Sequence, residues 1–153
     1  MSGFVGQAAT EPFILSNDGF FPEVDAASLR AGIRLSGDVS DARLEGSIIS
    51  AMITTNRELK VRKAMWQAAG HSTLAAVDDM AIGGKNALEV TYTRAVQALV
   101  GAEHAERYRG YDATNSGASQ DDEILPTADD YRRDHRHALR DLLGTGHATI
   151  ELI

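Results

Sequence analysis

The segment "SDARLEGSIISAMITTNRELKVRKAMWQAAG", residues 40–70, decides the fold. Leu44, Ile48, Met52, Thr55, Leu59 and Trp66 recur at steps of three and four, the period of an amphipathic helix. Ile49, Ile53 and Met65 widen that stripe. Ser40 is placed as an N-cap, Asp41 falls in the first turn, and Gly70 closes the helix. Gly46 is the only internal glycine and costs about 1 kcal/mol. One helix over about 40–69 would be a rod of roughly 45 Å. That is long for a chain of 153 residues. Either the fold is elongated or another chain covers part of the rod.

Working outward, residues 1–24 carry Gly3, Gly6, Pro12, Gly19 and Pro22 and no helical period, the pattern of an extended arm. Phe20 and Phe21 interrupt it; adjacent aromatics before a helix either pack on the body or fill a partner's pocket. Asp25 then caps a short helix reaching about Leu35. "HSTLAAVDDMAIGGK", residues 71–85, reads as a connector, with Gly83-Gly84 opening a second long helix over about 85–109. Its apolar line is Leu88, Tyr92, Ala95, Leu99 and Ala102, and its alanines permit close packing. Gly110 is the expected stop. "ERYRGYDATNSG", residues 106–117, mixes basic and aromatic residues, yet the register makes it a helix end in which Arg107 and Arg109 complement exposed carbonyls. Tyr111 then begins a mobile loop over 110–127. A last helix over about 127–143 is capped by Thr127, with Asp129 and Asp130 in its first turn and Tyr131, His135, Ala138, Leu139 and Leu142 on its apolar face. Beyond Gly144 and Gly146, Ala148, Ile150 and Leu152 alternate with Thr149 and Glu151 up to Ile153, a short extended strand. The fold expected is mostly α: a small elongated helical bundle.

Net charge is −7 and the hydrophobic fraction 43%, so long-range repulsion works against binding to DNA, RNA or anionic membranes. Without cysteine there is no disulfide, Fe–S cluster or zinc–thiolate site. "MSGFVGQAATEPF" has no charged start or long apolar run and does not read as a signal peptide. No window is apolar for long enough to span a membrane. Catalytic spacing is absent too. There is no HExxH, phosphate loop or GxSxG; "GGK" lacks the rest of a Walker loop. His135 and His137 point apart on a helix, and "QDDE" (residues 120–123) reads as a solvated run rather than a cation site. No catalytic residue, metal or cofactor is indicated. Arg132, Arg136 and Arg140, at i, i+4 and i+8, have two readings: a solvated face paired with Asp130, Asp134 or Asp141, or a contact to a partner carboxylate or DNA phosphate.

"FFPEVD", "ARLEGSIISAMITTNRELKVRK", "YTRAVQALVGAEHAERYRGYDAT" and "YRRDHRHALRDLLG", in that order, resemble the head completion (head stabilisation) family of contractile-tailed temperate bacteriophages. "TNREL" and "YxRAV…ERYRGYDA" are the most specific parts, and the resemblance runs from about Phe20 to Ile153. It implies a structural adaptor, not an enzyme; the length of 153 residues is enough for one domain, expected over 1–153. Such an adaptor binds the portal ring after DNA packaging, seals the head and presents a platform for a tail terminator or tail completion protein. It implies a homo-oligomeric ring, commonly of twelve copies, at the head–tail junction of the virion, assembled in the host cytoplasm, through which DNA passes without sequence-specific binding. The strand Ala148, Thr149, Ile150, Glu151, Leu152 and Ile153 is then expected to meet the portal, because a lone strand needs a sheet edge. Phe20, Phe21, Tyr111, Arg132, Arg136 and Arg140 are candidate contacts between subunits or with partners. The alternatives are a tail-side completion protein and a small helical DNA-binding regulator using the three arginines.

Overall fold

The computed structural model describes residues 13–33, 35, 39–112 and 126–144, with backbone alone for 108–112. The order is β1 (Ile14–Leu15), β2 (Val24–Asp25), α1 (Ala26–Gly32), α2 (Asp41–Glu58), α3 (Lys60–Ala68), β3 (Ala81–Ile82), β4 (Lys85–Asn86), α4 (Ala87–Asp112) and α5 (Ala128–Leu143), with a 3-10 turn at Leu74–Ala76. The protein is mostly helical, as expected.

Residues 13–24 are not an extended arm. β1 and β2 pair antiparallel, with Ile14 opposite Asp25 and Leu15 opposite Val24. Between them the Asp18 carboxylate accepts from the Phe20 and Phe21 amides at 3.0 and 3.1 Å and turns both rings inward. Phe20 stacks on Trp66 and Phe21 on Tyr92, with centroids 6.1 and 4.8 Å apart. Both phenylalanines are 3% exposed, so they lie in this chain's own core rather than on a surface open to a neighbour. Asp25 caps α1 as expected, accepting from Ala27 and Ser28, but α1 ends at Gly32, short of Leu35.

The rod expected over 40–69 is interrupted at Leu59 (φ −87°, ψ 0°) and becomes α2 and α3. The hydroxyls of Thr54 and Thr55 donate back to the Ser50 and Ala51 carbonyls at 3.1 and 2.9 Å. Such back-bonding competes with the helix ladder, although Thr91 and Thr93 make the same bonds in the unbroken α4. Backbone bonds still cross the break, from Leu59 to the Thr55 carbonyl and from Lys63 to the Leu59 carbonyl. At about 1.5 Å per residue the two pieces run about 27 and about 13 Å. Gly70 (φ +97°) ends α3 as expected: its amide bonds the Gln67 carbonyl and the His71 amide that of Trp66, a Schellman close.

Gly83-Gly84 does not open a helix. Both glycines have positive φ, 60° and 77°, and form the two-residue turn of the β3–β4 hairpin. The cap of α4 is Asn86, whose carbonyl oxygen accepts from the Leu88 and Glu89 amides. α4 runs through Gly110 to Asp112, so Gly110 is not its stop and Tyr111 lies in its last turn. α5 matches its expected span. Thr127 and Asp130 form a reciprocal capping box, and Gly144 closes α5 in the left-handed region. α4 is the hub: it packs along α5 most extensively and along α2 next. The core joins Leu44, Ile48, Met52, Leu59 and Trp66 of the rod to Tyr92, Val96 and Val100 of α4 and Leu139 and Leu142 of α5. The middle of the expected mobile loop (113–125) and the tail strand (148–153) lie outside the described residues.

Candidate assembly surface

Two polar knots fix the helices and thereby decide which faces look outward. The first is a closed triangle. Asn17 Nδ2 donates to Tyr92 Oη (2.8 Å) and to the Pro22 carbonyl (3.0 Å). Tyr92 Oη donates to Asn56 Oδ1 (2.5 Å), and Asn56 Nδ2 donates to Asn17 Oδ1 (2.8 Å). Burial raises the Tyr92 phenol to about 12, against the opposing Asn17 hydrogen bond. The second knot is His135 of α5. Its Nδ1 lies 2.9 Å from the Ala95 carbonyl of α4 and its Nε2 3.2 Å from Glu58 Oε2 of α2. Three helices meet at one imidazole. A third contact holds the N-terminal turn to the rod: Lys63 Nζ reaches Asp18 at 2.7 Å and sits over both phenylalanine rings at 5.5 and 5.7 Å. Burial raises the Asp18 carboxyl, but Lys63 and the Phe20 and Phe21 amides outweigh it and hold the group below the ordinary range.

These knots explain the most specific sequence segments. In "TNREL", Thr55 is buried with its hydroxyl on the Ala51 carbonyl, Asn56 joins the triangle, Glu58 meets His135 and Leu59 is fully buried. In "YTRAV", Tyr92 closes the triangle and Val96 fills the core. Only Arg57 of the first segment points away. The sequence reading missed Asn56, Asn17 and Glu58 as structural residues. The available signal was a polar Asn and Tyr on otherwise apolar helix faces.

Part of what remains outward is apolar. On α2, Ile49 and Ile53 (53% exposed) face solvent, and on α3 so do Val61 (74%) and Met65 (57%). Ile49, Ile53 and Met65 therefore do not widen the buried stripe; they form a second one on the other side of the rod. Ala64 and Ala68 lie with Val61 and Met65 at i, i+3, i+4 and i+7, spacing that ordinarily faces a core. The β3–β4 hairpin adds exposed Met80 and Ile82.

The arginine row divides. Arg132 ties α5 to α4 through Glu106 and also meets Asp129 at 3.2 Å. Its carboxylate partners are thus Glu106 and Asp129, not Asp130, Asp134 or Asp141; Arg133 takes Asp130 at 3.1 Å. Arg136 and Arg140 lie on the exposed side of α5. Arg107 pairs with Glu103 at 2.7 Å, one turn back on α4. The side chain of Tyr111 and the residues Ala148 to Ile153 are outside the description. Among the described residues no three His, Asp or Glu side chains gather as a metal site. No described helix is long and apolar enough to cross a membrane.

The family model for "phage head completion protein (GPL)" matches residues 15–153. The chain is 36% identical over 149 residues to the head completion/stabilization protein of Escherichia phage P2, covering 97% of this chain and 88% of that one. No solved structure matches. With the family match spanning both polar knots and the outward rod, this chain belongs to the phage head completion protein (GPL) family.

Proposed function

We propose that this chain is a structural virion protein that completes the phage head: it binds the portal ring once DNA is packaged, closes the vertex and offers the platform to which the tail joins. One observation carries the reading. The family match covers residues 15–153, so the helical body, its outward rod and the tail segment all belong to what the family shares. The outward apolar faces of α2 and α3 support an assembled role, because a subunit in a ring would cover them with neighbours. Acidic charge supports a channel through which DNA slides without adhering. Arg136, Arg140 and Tyr111 are assigned to neighbour or partner contacts. Arg132 serves chiefly to hold α4 and α5 together.

The segment Ala148 to Ile153 is assigned to strand addition on the portal. Its period-two pattern would bury Ile150 and Leu152 while a partner's sheet edge satisfies its backbone. Fixing so short a strand costs about 1–2 kcal/mol per residue in backbone entropy, which such an edge would offset. Cutting the chain after Gly146 is expected to leave the helices folded and to abolish attachment to heads; normal completion by the truncated chain would overturn the assignment. Co-sedimentation separates the partners: binding to purified portal rings but not to purified tails is expected, and the reverse would make this a tail-side completion protein. Duplex binding that weakens steeply with salt would point instead to a DNA-binding regulator.

A further inference from the structure

α2 has two apolar faces, and only one belongs to the core. Leu44, Ser47, Ile48, Ala51, Met52 and Thr55 are buried. At 100° per residue, Ala42, Gly46, Ile49 and Ile53 lie on the opposite side, at i, i+4, i+7 and i+11, and all four are exposed. A Cβ placed on Gly46 would meet nothing within 4 Å, so the backbone there is open to close approach. The charges along this face are ordered. Glu45 stands one turn before Ile49, and Arg57 one turn after Ile53, followed by Lys60; all three are exposed. Among the described residues neither Glu45 nor Arg57 forms an ion pair, whereas Asp41 is held by Arg30 at 2.8 Å.

We propose that this outer face of α2 docks the same face of a second copy of the chain, with the two helices antiparallel about a two-fold axis between Ile49 and Ile53, at the level of Ala51 on the opposite, buried face. The order acid, isoleucine, isoleucine, base becomes its own complement when reversed. Ile49 of each copy then meets Ile53 of the other, and the Glu45 end of each lies beside the other's Arg57–Lys60 end. A parallel arrangement would set Glu45 against Glu45 and Arg57 against Arg57, which the charges oppose. Gly46 and Ala42 allow the axes to approach. A contact built on one helix per subunit is smaller than the roughly 1,600 Å² of a standard stable interface. The association is therefore reversible, weakened by salt, and suited to a subunit held in solution before assembly. The inference concerns the purified chain and does not rest on the proposed role at the portal.

The test is sedimentation equilibrium on the full chain, with far-UV circular dichroism to verify that each variant is folded. A concentration-dependent monomer–dimer equilibrium is expected, weakened about tenfold or more by Ile53→Glu and by either Glu45→Arg or Arg57→Glu alone. The double variant Glu45→Arg/Arg57→Glu is expected to restore wild-type association, because each swapped charge again faces an opposite one in the second copy, and association that stops at the dimer distinguishes the two-fold contact from an open head-to-tail one. A monomer at every concentration, single swaps without effect, or a double swap that fails to restore dimers would each overturn the proposal.

Discussion

Tyr92 shows how much of this fold rests on a few polar atoms in an apolar setting. Its hydroxyl is surrounded by Asn17 and Asn56, and the ring stacks on Phe21. Tyr92→Phe keeps the stack but leaves Asn56 Oδ1 without its donor and Asn17 Nδ2 with only the Pro22 carbonyl. Loss of about 1–3 kcal/mol is expected in urea unfolding, with an unchanged slope against denaturant. His104 behaves in the opposite sense, since it is buried with an unpartnered Nε2. Burial holds its pKa below the ordinary imidazole range, and Arg107, Arg43 and Arg30 reinforce this against Glu103. The unfolded chain therefore takes up the proton first. The stability that neutral His104 allows is full above the unfolded value, about 6.5, and falls as pH drops below it toward the folded value. His104→Leu should flatten that part of the stability-against-pH curve relative to wild type; an unaltered slope would show that His104 is not its source. Periodicity puts Tyr92 on the apolar line of its helix, where it is indeed buried, but not in a hydrogen-bonded triangle; it gives His104 no role, and Asn17 comes from a segment with no period at all.

At the scale of elements, caps and stops were legible where the chemistry is local and hidden where it is not. Asp25, Ser40 and Thr127 cap as their side chains dictate, and Gly70 and Gly144 close their helices at positive φ. The one-residue interruption at Leu59 lies in the backbone, where a stripe of apolar residues at helical spacing cannot announce it. Gly110 failed as a stop because a glycine tolerated inside a helix and one that ends it look alike in sequence. Gly83-Gly84 was read as a helix start, although two glycines between short extended runs also specify a hairpin. Two further helical glycines make the point measurable. A Cβ on Gly46 meets nothing, whereas one on Gly101 would come within 2.7–2.9 Å of the Tyr131 ring. Helix propensity favours alanine at both by about 1 kcal/mol. Gly46→Ala should therefore raise stability by about that amount. Gly101→Ala must displace a packed ring at a cost of about 1–3 kcal/mol, so its net effect should be destabilising, by up to about 2 kcal/mol after the propensity gain. If both substitutions stabilise equally, α4 and α5 are not as close as Gly101 implies.

For the whole molecule, the decisive fact is that one rod carries apolar residues on two opposite sides and the fold buries only one of them. The inner side of α2 and α3 carries Leu44, Ile48, Leu59 and Trp66 into the core, and the outer side shows Ile53, Val61 and Met65 to solvent. The length of residues 40–69 already calls for either an elongated fold or a covering chain. The two stripes are not separable from the sequence, because both have helical spacing and only the positions of α4 and α5 decide which is inside. The separation predicts that stability and biological activity can be uncoupled. Ile53→Ser with Met65→Gln removes apolar side chains that the isolated subunit leaves more than half exposed, so unfolding free energy should fall by no more than about 1 kcal/mol. Leu59→Ala, on the inner side, should cost about 2–5 kcal/mol. If the outer face is covered in the assembled vertex, the Ser/Gln variant should be folded and yet fail to complete heads in an extract lacking the wild-type protein. Leu59→Ala should fail only in proportion to the fraction unfolded. Full complementation by the Ser/Gln variant would mean that the outer stripe is not covered in the particle, and would leave the tail segment to carry attachment alone.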